Sequence, residues 1–243
     1  MILGLIPARL NSQRLPGKPL IKVDGLPLII HVLKRSLLCK KLDRVIVCAD
    51  DKSIIEIVKK FDGEAIMTSK NHKNGTERIC EVAKKYDAKL IIDIQCDEVF
   101  LNPQHVDKLI DFHKRNNKFE IVIPHSQIFT YNNKNIVKIV DNDASKIIYL
   151  SRADTPFYFR QKKLFLKKHL DFISFKKNAL LNYCKLKKSR NEKKEGVELL
   201  RAIDNNFNLG TIKINTNVFS INTKLDLKKA ELIMKKCKIR KKY

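Results

Sequence analysis

Apolar residues along the first half of the chain follow two alternating patterns. Short uninterrupted apolar runs, which are typical of buried strands, occur at MILGLI (1–6), RVIVCAD (44–50), EAIM (64–67) and KLIIDIQ (89–95). Around these runs, apolar residues recur at helical spacing, which predicts helices at residues 28–38, 52–61, 76–86 and 103–114. Strands that alternate with helices of this length indicate βαβ units, and therefore a parallel sheet.

The pattern changes after about residue 120. EIVIP (120–124) is a further predicted strand, and two apolar runs that flank DNDAS (141–145) predict a hairpin. Residues 162–188 are rich in lysine and are predicted to be irregular. The remaining segments are predicted as a helix at 195–203, an extended stretch at 210–221 and a closing helix at 226–236.

Together these patterns predict one α/β domain over residues 1–243, built on a Rossmann-like, mostly parallel sheet. The core is expected at residues 1–124, and the chain is expected to return to it at residues 181–243. A smaller β-rich excursion at residues 125–180 is expected to form a flap or a dimer surface.

The formal net charge of +24 would suit a nucleic-acid-binding protein. However, lysine outnumbers arginine 39 to 11, the lysines are spread along the chain, and asparagine and isoleucine are also abundant, as in an AT-rich coding sequence. The sequence also lacks the aromatic and basic stacking motif of RNA-binding sheets. We interpret the basicity as incidental and expect no specific nucleic-acid partner, with nucleic-acid binding kept as an alternative hypothesis.

Cysteine spacing and hydropathy indicate the compartment. The six cysteines form no CxxC pair and no metal-ligand spacing with histidine, so we expect reduced, mostly buried thiols. Apolar runs fall short of the roughly 20 residues that a membrane helix needs, and the N-terminus lacks a basic signal-peptide region. We therefore expect a cytoplasmic protein with no membrane partner.

The first candidate site is the loop LIPARLNSQRLPGKP (5–19), which follows the first predicted strand. Arg9, Arg14 and Lys18 fall within ten residues of one another, among three prolines and Gly17. Ligands of open α/β sheets bind at the carboxyl ends of the strands, so three cations on a stiff loop there suit a polyphosphate. The loop lacks the Walker A pattern, and a surface loop with solvated charges is the alternative.

A second candidate follows the strand in IIDIQCDEVF (91–100). Asp97 and Glu98 come directly after this strand and are expected at the same sheet edge as the basic loop. Magnesium is usually held by one or two carboxylates together with phosphate oxygens. The two segments together predict a magnesium–triphosphate site, and a pair of exposed loop acids is the alternative.

Three segments, IPARLNSQRLPGKPL, NHKNGTERI and QCDE, together resemble the CMP-Kdo synthetases, the 3-deoxy-manno-octulosonate (Kdo) cytidylyltransferases. The resemblance is continuous through about residue 115 and looser afterwards. It implies a nucleotidyltransferase fold, a homodimer, and a Mg²⁺-dependent reaction of CTP with a 3-deoxy-2-ketoaldonic acid. The products would be a CMP-sugar, for lipopolysaccharide or capsule biosynthesis, and pyrophosphate.

The same resemblance implies roles for individual residues. The implied catalytic residues are Arg9, Arg14, Lys18 and Asp97. The implied nucleotide-binding residues are Pro7, Ala8, Arg9, Arg14, Lys18, Asp50, Arg78 and Gln95. Asp97 and Asn222 would hold the metal ion, and Arg152, which could pair with the sugar carboxylate, would contact the sugar with His169 and Glu198. The alternatives are a structural ion pair for Arg152, an exposed surface histidine for His169 and an ordinary helix charge for Glu198.

The chain departs from the family pattern at several positions. Cys96 and Val99 replace a glycine and a proline that flank the metal site. Ile173 and Leu199 align with a sugar-contacting tyrosine and a glutamine, and Asn222 aligns with a second metal aspartate, for which Asp226 is an alternative ligand. These departures leave open a cytidylyltransferase for another acidic keto sugar, such as a sialic-acid-like sugar, and a non-catalytic nucleotide-binding descendant.

Overall fold

The structure is a computed structural model that describes residues 1–11, 15–160, 162, 164–216 and 219–243. The chain forms two compact units. Unit 1 comprises residues 1–108 and 218–243, and unit 2 comprises residues 109–217. The sequence-based divisions at residues 124 and 180 stay predictions. Within the described residues, no helix combines the length and the apolar character that crossing a bilayer requires.

Unit 1 is built on a parallel sheet. Its strands are β1 (Ile2–Ala8), β4 (Arg44–Ala49), β5 (Glu64–Met67) and β6 (Leu90–Ile94), while β2 (Lys22–Val23) and β3 (Leu26–Pro27) form a separate small hairpin. The order across the sheet is β5-β4-β1-β6, and every pairing among these four strands is parallel. All seven residues of β1 are buried. The predicted βαβ arrangement of the first half is thus confirmed.

Helices α1 (Leu28–Leu37), α2 (Lys52–Lys60), α3 (Gly75–Ala83) and α8 (Lys224–Lys235) belong to unit 1. Side-chain caps set where several of them begin, because they satisfy backbone N–H groups of the first turn. Asp51 accepts a hydrogen bond from the Ser53 N–H (2.9 Å), and Asn74 accepts one from the Glu77 N–H (2.8 Å). Helix α4 (Pro103–Arg115) begins in the same way at the end of unit 1.

In unit 2 the strands are β7 (Ile121–Ile128), β8 (Lys138–Asp141), β9 (Ile147–Ser151), β10 (Leu166–His169), β11 (Phe172–Lys176) and β12 (Leu209–Lys213). Strand β7 is central, because it pairs with β10 and β11 in antiparallel and with β12 in parallel orientation. Strand β8 pairs with β9 and β10, both antiparallel. The predicted hairpin at residues 141–145 is confirmed as the β8–β9 turn.

The prediction that residues 162–188 are irregular is wrong over most of that range. It contains β10, β11 and helix α5 (Lys177–Tyr183). The surrounding lysines hid these elements, because the buried segment from Phe172 to Phe175 is short and is interrupted by Ser174. Pairing with β7 supplies stabilisation that a scan of local composition does not register.

The single helix predicted at 195–203 is confirmed at residues 200–203 and is wrong at residues 196–199, where the chain is not helical. Helix α6 (Arg190–Glu195) ends at Gly196, which adopts the left-handed conformation with φ of 62°, and α7 (Leu200–Asp204) begins four residues later. The extended stretch predicted at 210–221 is confirmed only as far as Lys213, where β12 ends. The described residues beyond it, 214–216 and 219–221, have no regular secondary structure.

Candidate active site

The basic loop leaves β1 at the carboxyl edge of the unit 1 sheet. Pro7 and Ala8 are its last two strand residues and are buried, and Arg9, directly after them, is exposed. The loop closes on itself where the Gly17 N–H donates to the Leu10 carbonyl at 3.1 Å. Gly17 has a φ of 65°, a conformation that glycine adopts at little cost, and it starts a 3-10 helix that carries Lys18. Arg14 lies outside the described residues.

Asp50, which follows the neighbouring strand, and Arg78, which lies in α3, together hold the start of this loop. Asp50 follows β4, and its carboxylate accepts the Leu10 N–H (3.0 Å) and an Arg78 N–H (3.2 Å). Arg78, only 3% exposed, also donates to the Thr68 hydroxyl (2.5 Å) and the Ser69 carbonyl (3.2 Å). The structure therefore brings these two predicted nucleotide-binding residues together, as supports of the loop backbone.

The start of α3 lies against the end of β1. A Cβ atom at Gly75 would lie 3.1 Å from Pro7 Cγ and 3.8 Å from the Gln95 side-chain nitrogen, so glycine permits this close approach. The Gln95 side-chain nitrogen donates to both carboxylate oxygens of buried Asp93, at 2.9 and 3.0 Å. Pro7, Gly75 and Gln95 thus lie together, next to the positive end of the α3 dipole.

Lys18, Asp97 and Asn222 form a compact polar cluster in unit 1. The Lys18 Nζ lies 2.6 Å from Asp97 Oδ2 and 3.3 Å from Asn222 Oδ1, and the Lys18 side chain is only 10% exposed. A carboxylate oxygen and an amide oxygen therefore converge on one cationic group. Such oxygens are also what Mg²⁺ prefers, so Asp97 and Asn222 fit a magnesium ion whose other ligands are phosphate and water oxygens.

The described residues offer no group of three or more His, Cys, Asp or Glu side chains that could hold a metal ion. An ion at Asp97 and Asn222 would therefore take most of its ligands from elsewhere, which is how Mg²⁺ is held in many sites that bind substrate phosphates.

The segment that carries Asn222 is held at two points. The Ile221 N–H donates to the Asp97 carbonyl (3.4 Å), and the Ser220 hydroxyl donates to the Glu98 carboxylate. Asp226 Oδ2 then accepts the N–H groups of Asn222 (2.9 Å) and of the next residue (2.8 Å), as part of the capping box of α8. These contacts place the Asn222 side chain beside Lys18.

Asp226, the alternative metal ligand, is used by this helix cap. Burial raises the pKa of its carboxyl, but the hydrogen bonds from Asn222 and Thr223 together outweigh burial and lower it. A carboxylate that closes a capping box has one oxygen committed to backbone N–H groups. The geometry therefore favours Asn222 over Asp226 as the residue that faces the cluster.

Arg152 lies in unit 2, where its guanidinium contacts backbone carbonyls. It donates to the carbonyls of Glu195 (2.8 Å), Lys134 (2.9 Å) and Gly196 (3.2 Å), and its backbone N–H donates to the Glu195 carboxylate (2.8 Å). Its guanidinium contacts are thus with backbone carbonyls rather than an acid. A guanidinium has five N–H groups, so donors remain for a carboxylate, and the sugar-binding role stays a prediction.

His169 and Glu198 also lie in unit 2. The side chain of His169, at the end of β10, is only 12% exposed, and its Nδ1 lies 3.5 Å from Asp171 Oδ1, so it is not an exposed surface histidine. Glu198 is exposed and lies in the turn before α7 rather than in a helix, and its carbonyl accepts the Tyr183 hydroxyl at 2.8 Å. Their roles toward a sugar stay predictions.

Comparison with known proteins adds to this geometry. A family model described as cytidylyltransferase matches residues 3–214. The 3-deoxy-manno-octulosonate cytidylyltransferase of Fusobacterium nucleatum is 35% identical to this chain, over 93% of each protein. The Escherichia coli protein of the same name is 32% identical, over 95% of this chain and 94% of that protein.

Solved structures agree with these relatives. A CMP:2-keto-3-deoxy-manno-octonic acid synthetase complexed with CTP matches with a TM-score of 0.94 at 31% identity, over 97% of this chain and 98% of that one. The chain belongs to the Kdo cytidylyltransferase family. The α/β nucleotidyltransferase fold and the family resemblance predicted from the sequence are thereby confirmed. A Leptospira borgpetersenii cytidylyltransferase, 17% identical with a TM-score of 0.67, shares the fold.

The structure shows what surrounds the residues at which this family member departs from the pattern. Burial, helped by Asp97, raises the pKa of the Cys96 thiol to about 12 although Lys18 and Arg9 act against it, so the thiol stays neutral. Val99 is fully buried. Ile173 and Leu199, in unit 2, are buried as well, at 8% and 6% exposure.

Sequence reasoning missed several supporting residues of this Kdo cytidylyltransferase-like chain. The hydrogen bond from Ser220 to Glu98 joins segments that are distant in sequence, so no local signal could have found it. By contrast, the caps at Asn74 and Thr223 have a readable signal. Each is followed three residues later by an acid, a pattern that marks helix starts.

Proposed function

We propose that this protein transfers the CMP group of CTP to 3-deoxy-manno-octulosonate and releases pyrophosphate. The anomeric hydroxyl oxygen of the sugar forms a bond to the α-phosphorus, the bond from that phosphorus to the bridging oxygen breaks, and the hydroxyl proton is lost. Such transfers depend on positioning and on neutralising charge rather than on covalent catalysis. The observation that carries the proposal is the cluster in which Lys18 of the basic loop contacts Asp97 and Asn222.

The chain's own residues hold the nucleotide. Arg9, Arg14 and Lys18 supply donors and positive charge to the phosphates, and the hydrogen bond from Leu10 to Asp50 keeps the loop backbone in place. Pro7, Ala8, Arg78 and Gln95 border or support the nucleotide pocket. We propose Mg²⁺ as the cofactor, held by Asp97 and Asn222 together with phosphate oxygens. When bound, it polarises the α-phosphate and stabilises the pyrophosphate leaving group.

We assign Arg152, His169 and Glu198 to the sugar. The guanidinium of Arg152 still has donors for the sugar carboxylate, and its contacts with three carbonyls hold it in one orientation. His169 and Glu198 supply hydrogen-bonding groups for sugar hydroxyls.

Pyrophosphate release measured with CTP and a panel of sugar acids tests this function. We expect turnover with 3-deoxy-manno-octulosonate, CTP and magnesium together, and none when any one is omitted. A lack of turnover with every sugar acid, with CTP still bound, would favour the non-catalytic alternative.

The same panel tests a second candidate, a cytidylyltransferase for another acidic keto sugar. The apolar, buried Ile173 and Leu199, where the family resemblance implies tyrosine and glutamine, favour it. Higher kcat/KM with a sialic-acid-like substrate than with 3-deoxy-manno-octulosonate would establish it.

We further propose that the protein is a cytoplasmic homodimer that serves lipopolysaccharide or capsule biosynthesis. All six cysteines are free thiols, which suits a reducing compartment. Phe129, Phe157, Phe159 and Leu164 are 52–78% exposed in unit 2, and such apolar exposure suits a subunit interface. Analytical ultracentrifugation should give twice the 28.3 kDa chain mass, and a single chain mass would refute the dimer.

A further inference from the structure

The outward side of α8 combines exposed leucines with lysines. Leu225, Lys228, Lys229, Leu232 and Lys236 share one side, because their spacing from Leu225 is three, four, seven and eleven residues. We call these five residues the α8 outer face. All five are exposed, and Leu225 and Leu232 are 76% and 68% exposed.

The opposite side of the helix already packs against unit 1. Ala230 and Met234 are completely buried there. The two leucines of the α8 outer face are therefore not needed for the core. Large aliphatic side chains left in water between lysines indicate a surface with apolar as well as electrostatic attraction for a partner.

The charge around this face is strongly positive. Residues 219–243 contain nine lysine and arginine residues and only two acids, Asp226 and Glu231. Both carboxylates accept hydrogen bonds from backbone N–H groups, Asp226 within its capping box and Glu231 from Asp24 at 3.0 Å. With nine cationic side chains against two carboxylates in this segment, the lysines of the face and of the following tail dominate the local potential.

We propose that the α8 outer face binds the surface of an anionic lipid bilayer. Leu225 and Leu232 would enter the boundary between headgroups and acyl chains, while the lysine stems extend so that their ammonium groups meet lipid phosphates. Lysines near such a surface add electrostatic attraction, and burial of leucine adds apolar stabilisation.

The leucines distinguish this partner from a nucleic acid. Phosphate backbones attract lysine in the same way, but single strands are bound through aromatic stacking platforms, and aliphatic side chains give no such contact. A membrane surface uses both the lysines and the leucines of the α8 outer face.

Flotation of the full-length protein with vesicles tests the proposal. The vesicles are phosphatidylcholine alone or phosphatidylcholine mixed with phosphatidylglycerol. We expect the protein to float with the mixed vesicles and to remain in solution with phosphatidylcholine alone. The double variant Leu225→Gln, Leu232→Gln should lose about tenfold or more in affinity for the mixed vesicles.

Two charge variants provide the matched comparison. Lys228→Gln with Lys229→Gln removes two charges from the α8 outer face and should weaken vesicle binding severalfold. Lys59→Gln with Lys60→Gln removes two exposed charges from the last turn of α2 and should change it less than about twofold. Thermal unfolding by circular dichroism checks that all variants are folded.

Two outcomes would overturn the proposal. One is unchanged vesicle affinity of the folded leucine variant, or equal losses from the two lysine pairs, because attraction would then come from total charge alone. The other is tighter binding to a DNA duplex than to the mixed vesicles at the same salt concentration, which would identify a nucleic acid as the partner.

Discussion

In unit 1 five of the candidate side chains contact one another, whereas in unit 2 the candidates contact backbone carbonyls and neighbouring acids. Lys18 joins Asp97 and Asn222, and Asp50 joins Arg78. Arg152 instead donates hydrogen bonds from three guanidinium nitrogens to backbone carbonyls. The candidate nucleotide residues thus include a preformed polar cluster, while the candidate sugar residues are oriented by contacts within unit 2. Charged groups that hold a polyanion need mutual pairing when it is absent, because an isolated buried charge is costly.

The largest effect is expected at the preformed cluster. Asp97→Asn should lower magnesium-dependent turnover about 10³-fold, because the proposed metal site loses a carboxylate charge and Lys18 loses its ion-pair partner. Pyrophosphate release at saturating CTP measures this. The exposed Asp87→Asn is the control and should keep full activity. An Asp97→Asn enzyme that is active at ordinary magnesium concentrations would show that Asp97 is not the main ligand.

Acid should destabilise unit 2 through its buried histidines. Burial lowers the pKa of His113 from 6.5 to about 4, so the unfolded chain binds a proton that the folded chain excludes. The contribution of neutral His113 to the free energy of unfolding is therefore fully present above pH 6.5. It is lost as the pH falls toward 4, by up to about 3 kcal/mol.

Urea unfolding across this pH range measures the loss. His113→Asn should give a shallower dependence than the parent protein, whatever its absolute stability. If the free energy of unfolding of the variant depends on pH as steeply as that of the parent protein, His113 does not cause the loss of stability in acid. His125, whose pKa is likewise lowered to about 4 by burial and then by Lys167, should behave in the same way.

Arginine substitutions should separate the two substrates. Arg14→Ala should raise the KM for CTP about tenfold and leave the sugar KM nearly unchanged, because a phosphate loses a charge-assisted donor. Arg152→Ala should have the reverse effect. Steady-state kinetics with each substrate varied in turn measures both. Equal changes in both KM values for either variant would contradict these assignments.

The smallest effect is expected from restoring an acid at position 222. Asn222→Asp should lower the magnesium concentration needed for half-maximal rate severalfold and raise turnover, because Mg²⁺ gains an anionic oxygen. Asp226→Asn should act mainly on the stability of α8, through its capping box, by about 1 kcal/mol. A large activity loss in Asp226→Asn, with Asn222→Asp neutral, would identify Asp226 as the ligand.

The first half of the fold was predictable because each element has its own local signal. Buried strands such as β1 are continuous apolar runs, and helix starts such as the one at Asn74 have capping residues. In unit 2, β10 and β11 depend on pairing with β7, and the break at Gly196 lies inside an otherwise helical pattern. A local pattern cannot register such distant partners.

The candidate site also contains some residues that a local sequence signal could locate and others that it could not. Arg9, Lys18 and Asp97 lie in segments that follow predicted parallel strands. Because the carboxyl ends of parallel strands meet at one edge of a sheet, the sequence predicted that these residues lie at the same edge. The contact between Lys18 and Asn222 joins residues that lie 204 positions apart, and family resemblance rather than chemistry pointed to it. Arg78 as a support of the loop, through Asp50, was not predictable from its own surroundings in the sequence.

The pairing of Lys18 with Asp97 next to a neutral Asn222 also bears on the order in which substrates bind. With an asparagine at this position the three side chains are formally neutral, so they offer little attraction for a free divalent ion and little repulsion for a nucleoside triphosphate. If Mg²⁺ bound together with CTP, the nucleotide phosphates would pair with the ammonium of Lys18, and the oxygens of Asp97 and Asn222 would then be available to hold the ion. An enzyme with this arrangement would bind free magnesium weakly until CTP is present.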